Sequence, residues 1–138
     1  MSDEPLDMEI ERRRAARSLD GRRRRVEAAI EALPRLIRVG PYDYEIVIWG
    51  AVEAGASNRI GQHSSMAHEI CLLREQVSVV MFVDTFLHEC LHALWYVWAV
   101  GEDDKQERTV TMLATGLTSL HRDNPWLAGW ISTALGEG

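Results

Sequence analysis

The sequence predicts a small α+β fold, on three observations. An Arg-, Glu- and Ala-rich opening reads as helix and is stopped by Pro34; β-rich runs flank Gly40-Pro41; and from Val79 onward the apolar period becomes helical. The expected architecture is an N-terminal helix, a small antiparallel sheet, a helix bearing the chemistry packed on a second helix that carries a glutamate, and a short C-terminal helix. The 138 residues are 46% hydrophobic and 26% charged. That suffices for one core without covalent staples, and it excludes a disordered chain, a disulfide scaffold and a multidomain machine.

Each element has its own signal. Val26, Ala29, Ile30 and Leu33 form an apolar stripe at i, i+3, i+4, i+7, while Asp20-Gly21 is a candidate break upstream of it. Residues 1–34 thus read as an Arg-rich helical arm and 35–138 as the main domain. Leu36 to Val39 and Tyr44 to Trp49 are close enough to pair across a turn. The Gly-, Ala- and Ser-rich stretch from Gly50 to Ser65 reads as loop, and Met66 to Leu73 as a further strand. Phe82, Phe86, Leu87, Leu91, Leu94, Trp95 and Trp98 then mark a long helix, with Asp84-Thr85 as a start signal and Gly101 in the position of a C′ glycine. Asp104 and Glu107 have the spacing of a capping box before a helix carrying Val110, Leu113, Ala114 and Leu117. Asn124-Pro125 opens the last helix.

Charge and cysteine content bound the setting. The net charge is −6, but residues 1–38 hold ten Arg against eight acids, whereas 39–138 hold five basic residues against thirteen acids. Arg12 to Arg25 therefore form a basic-rich segment on an acidic body. It suits a solvated helix or an arm for an acidic partner; nucleic-acid phosphates are the alternative, although the segment has no aromatic residue for base stacking. Cys71 and Cys90 sit singly in apolar runs and read as free buried thiols, which points to the cytoplasm. The longest nearly uncharged run, Ala93 to Gly101, is far short of the about 20 residues of a membrane span.

The chemistry concentrates in His88-Glu89-Cys90-Leu91-His92, an H-E-x-x-H pattern that chance alone produces in roughly 2% of chains of this composition. Histidines four apart on a helix differ by about 40° in rotation and about 6 Å in rise, so both imidazoles can reach one metal ion. Glu89 lies beside that face, placed to take a proton from metal-bound water without being a ligand. A catalytic zinc site needs a third protein donor. Glu107, one turn into the next helix in the phase of Val110, Ala114 and Leu117, is the leading candidate; Glu102, Asp103, Asp104 and His121 compete with it.

A β-rich region, an H-E-x-x-H helix and a following helix with Glu107-x-x-Val110-Thr111-x-Leu113-Ala114 resemble, over roughly Val39 to Leu120, the minimal gluzincin-type metallopeptidases, especially the ImmA/IrrE-like and SprT-like groups of bacteria and their phages. The last run is similar to the E-x-x-A-N-x-F-A segment of the first group, with Val110-Thr111 in place of Ala-Asn. The resemblance implies a zincin-like fold, Zn²⁺ held by His88, His92 and Glu107, Glu89 as catalytic base, and a peptide or protein substrate. Tyr96, four beyond His92, and His121 are candidate stabilisers of the transition state, but the first reading is packing for Tyr96, as for Trp95 and Trp98, and a helix C-terminal His favoured by the dipole for His121. An extended substrate would pair with the strand before the active helix, expected at Met66 to Leu73; His68 and Glu69 read first as solvent-facing residues of that alternating strand, with lining of the cleft as the alternative. The expected function is hydrolysis of peptide bonds. The alternative is a non-enzymatic binding module of the same fold.

Overall fold

The computed structural model describes residues 6–57, 59–98 and 105–136; the side chains of residues 56–57, 105–107 and 110 lie outside that description. Among the described residues the fold is α+β, with five helices and one mixed four-stranded sheet.

Helix α1 (Leu6–Ala32) runs 27 residues, about 40 Å, without interruption. The expected break at Asp20-Gly21 does not occur. One glycine costs about 1 kcal/mol in a helix, and strong helix formers on both sides outweigh it. Of its side chains only Val26 and Ala29 are fully buried, so the last turns join the core while the Arg-rich part stays in solvent. After Pro34 come β1 (Leu36–Val39) and β2 (Tyr42–Trp49), paired antiparallel with Val39 opposite Tyr42. The two-residue turn between them needs a positive φ first, which Gly40 supplies at +58°, and a negative φ second, which Pro41 fixes. A Cβ on Gly40 would also stand 2.6 Å from Val97 Cγ1.

The stretch expected as loop contains two elements, helix α2 (Ala51–Ser57) and strand β3 (Gly61–Ser64). The Met66-to-Leu73 strand shortens to β4 (Glu69–Leu73), because His68 takes a left-handed φ of 52° in the turn that precedes it. The sheet order is β1-β2-β4-β3. It is mixed rather than antiparallel: the chain crosses over through α2 and β3, so β4 returns parallel to β2. β3 is therefore an edge strand and β4 an interior one.

Helix α3 (Val79–Trp98) starts one turn before Asp84-Thr85, because Ser78 caps it: the Met81 N–H donates to Ser78 Oγ at 3.1 Å. Its buried face, with Phe82, Phe86, Cys90, Ala93 and Leu94, packs on Ile37, Val39, Tyr44, Ile46, Ile70 and Leu72 of the sheet. Helix α4 (Lys105–Asp123) lies against α3, with Gly116 so close that a Cβ would stand 3.1 Å from Leu94 Cδ2. That approach sets its phase. Met112, Gly116, Ser119 and Leu120 face inward, while Ala114 is exposed and Leu117 is 38% exposed, so the expected inward stripe of Ala114 and Leu117 is corrected. Gly101 and the proposed Asp104 cap, with Glu102 and Asp103, lie outside the described residues. Helix α5 (Leu127–Gly136) anchors through Trp130, which stands edge-on to Phe86 at 5.3 Å and donates from Nε1 to the Ala29 carbonyl at 2.9 Å.

Between α4 and α5, buried Asn124 clasps β1. Its Oδ1 accepts from the Arg38 N–H at 2.8 Å, and its Nδ2 lies 2.7 Å from the Arg38 carbonyl and 2.8 Å from that of Leu120. Replacing Asn124 with Ala leaves those groups unpaired. Urea unfolding should show a loss of about 2–3 kcal/mol, against less than about 0.5 kcal/mol for an exposed control such as Thr118→Ala.

Candidate metal centre and catalytic cleft

The core face of α3 fixes where its other face points. With Phe86 and Cys90 buried, His88 and His92 emerge together on the solvent side, and Glu89 lies between the two faces, 7% exposed. The Nε2 atoms of His88 and His92 are 3.1 Å apart, and the ring centroids 4.8 Å apart. Two nitrogens bound to one tetrahedral zinc at about 2.0–2.1 Å stand about 3.3–3.4 Å apart, so the pair is already arranged close to what a shared ion requires. Among the described residues no group of three or more His, Cys, Asp or Glu side chains is placed to hold a metal ion. The side chain of Glu107 lies outside the described residues, and its backbone belongs to the first turns of α4.

The pair opens into a cleft of about 640 Å³ lined by Arg59, Ile60, Gly61, His63, Asp84, Thr85, His88, Glu89 and His92. Strand β3 forms its wall. Gly61 and His63 share the sheet face that meets α3, since they lie opposite the core residues Leu72 and Ile70 of β4. At Gly61 a Cβ would stand 2.7 Å from Thr85 Cγ2 and 3.2 Å from Glu89 Cγ and Oε1, so only glycine lets the strand settle on the glutamate. Thr85 is held aside by donating to Gln76 Oε1 at 2.9 Å.

His63 is the site residue that sequence reasoning missed. No apolar residue marks β3, whose core-facing positions are a glycine and a histidine, so alternation gives no signal there; the only cue is a Gly-x-His within a polar stretch. The ring of His63 stacks at 12° to His92 with centroids 6.5 Å apart, and it lies 5.6 Å from Tyr44. Two imidazoles on one tetrahedral zinc ion have centroids about 5 Å apart, so at 6.5 Å the His63 ring stands further from His92 than a shared ion requires. Its Nε2 and the hydroxyl of Tyr44 are buried without a hydrogen-bond partner. Burial, and secondarily His92, holds the His63 pKa below the usual imidazole value, so it is neutral at pH 7. Burial, with Tyr96 and Tyr42 adding to it, pushes the Tyr44 hydroxyl upward.

Other expected residues fall elsewhere. Tyr96 is 59% exposed with its ring 6.4 Å from His63, beside the cleft but not lining it. Trp95 and Trp98 are exposed rather than packed. His121 sits in the last turn of α4, its Nδ1 2.8 Å from the Leu117 carbonyl, and takes no part in the cleft. His68 and Glu69 do not line it either, because β4 is interior and β3 stands between them and α3's polar face; His68 packs instead on Tyr42 and Tyr44.

Comparison with protein-family models, with curated proteins and with solved structures finds no match to the chain. No described helix is long and apolar enough to cross a membrane.

Both cysteines are free and buried, as expected. Burial, with Glu69, Glu89 and Glu45 adding to it, pushes the Cys71 thiol up to about 11, and burial followed by Glu89 raises Cys90 as well. Since the thiolate is the reactive form, both should resist an aromatic disulfide reagent at about pH 8 in the native protein and react in denaturant. Rapid native labelling of either would contradict this placement.

Proposed function

We propose that the protein is a zinc-dependent peptidase whose metal is held by His88 and His92, with a third donor from the start of α4, where Glu107 is the expected one. The observation that carries this is the 3.1 Å approach of the two Nε2 atoms beside a glutamate that is 7% exposed, in a cleft walled by an edge strand. A bound zinc ion supplies a Lewis acid that polarises a carbonyl and makes water acidic near neutral pH. The rest falls to the chain. Glu89 accepts a proton from the attacking water on its carboxylate and returns it to the leaving amine. Gly61 keeps β3 against that carboxylate and limits access of bulk water. His63 lines the cleft beside the pair, and its neutral ring adds no charge there. The cleft and the short edge strand suit an extended peptide, whose backbone can pair with β3.

Purified protein should bind one zinc ion per chain by elemental analysis, and His88→Ala or His92→Ala should lose it. Glu89→Gln should retain the metal while lowering hydrolysis of a quenched-fluorescence peptide library by at least about 100-fold. Stoichiometric zinc with no cleavage by either protein would favour a binding module instead. Absence of zinc would remove the proposal.

A further inference from the structure

A second concavity lies away from the cleft, between the end of α1 and α5. It measures about 430 Å³, within the range of about 300–1,000 Å³ typical of small-molecule sites. Its floor is built from small residues, among them Ala28, Ala29, Ala32 and Gly129, and its aromatic wall from Trp126 and Trp130. Trp130 is held in place by its bond to the Ala29 carbonyl and its edge-on contact with Phe86. The charged groups lining it are Arg24 and Arg25. Among the described residues Arg13, Arg35, Arg38, Arg74 and Arg122 form ion pairs, whereas Arg24 and Arg25 form none.

The arrangement is polarised along the helix. Arg24 and Arg25 stand at one end and Ala32 at the other, about 10–12 Å apart along α1 at 1.5 Å per residue. An apolar trough of that length with two cations at one end complements a linear apolar body with one anionic head. A docking helix would present charges and apolar groups on a repeating face rather than at opposite ends.

We propose that this groove binds an anionic amphiphile, a straight-chain carboxylate of about ten carbons, its tail along the alanines and tryptophans and its head on Arg24 and Arg25. Trp126 and Trp130 report binding directly. Decanoate, below its micelle concentration, should change the tryptophan emission saturably with one ligand per chain. Decyltrimethylammonium and decanol, with the same tail, should bind at least tenfold more weakly. The double substitution Arg24→Gln with Arg25→Gln should weaken decanoate at least tenfold and leave decanol unchanged. Gly129→Leu should abolish decanoate binding by filling the groove; a Cβ there meets nothing within 4 Å, and leucine favours the helix, so circular dichroism and melting should be preserved. Equal binding of the three head groups, undiminished binding by Gly129→Leu, or no saturable binding would overturn the proposal. So would a sedimenting dimer that Gly129→Leu dissociates, since the occupant would then be a second copy of the chain.

Discussion

Burial of one face of α3 is the constraint on which everything else rests. Phe82 and Phe86 are fully enclosed, between the sheet on one side and Trp130 of α5 on the other, and each such aromatic contributes about 1.5–3 kcal/mol. Because α1, α4, α5 and three strands all contact this helix, its rotation about its own axis is set from several directions. A helix whose apolar face is so fixed has no freedom in where it aims the residues between. His88 and His92 are therefore placed on the cleft side by Phe86, Cys90 and Ala93, and the 3.1 Å hydrogen-bond contact between their Nε2 atoms follows from that placement.

The same packing explains the cost accepted at the site. A glutamate that is 7% exposed and an imidazole nitrogen sealed without a partner are both unfavourable for folding alone. Both arise where β3 lies on α3, the contact that Gly61 makes possible. Removing side-chain volume there brings polar groups of two elements within a few ångströms of each other, in a cleft whose opposite wall is a well-packed helix. Sites assembled from a rigid helix and a short strand hold their groups more tightly than sites on loops.

Where apolar spacing and special residues coincide, the chain announces itself. The β1–β2 hairpin follows from Gly40-Pro41 between two β-rich runs, the end of α1 from Pro34, and the His pair from its spacing within a helical period. What could not be read has definable causes. β3 and α2 bury almost no apolar side chains, and hydrophobic periodicity carries no trace of such elements. The parallel pairing of β4 with β2 depends on the crossover, which no local pattern encodes. In α4 the inward phase belongs to Met112, Gly116 and Leu120 because a missing side chain at Gly116 admits Leu94, and an apolar count gives glycine no weight. The Arg-rich part of α1 was legible as helix but not as continuous, since Asp20-Gly21 looks like punctuation and is overridden by its neighbours.

A four-stranded open sheet has two margins, and they are treated differently here. At β1 the outward-facing N–H and carbonyl of Arg38 are both engaged by Asn124, whose carboxamide takes the place of a neighbouring strand's peptide group. A foreign strand finds that margin occupied at its centre. The β3 margin has no such clasp from Asn124. The carboxamide that secures the last helices to the first strand thus also shields the β1 margin from a foreign strand.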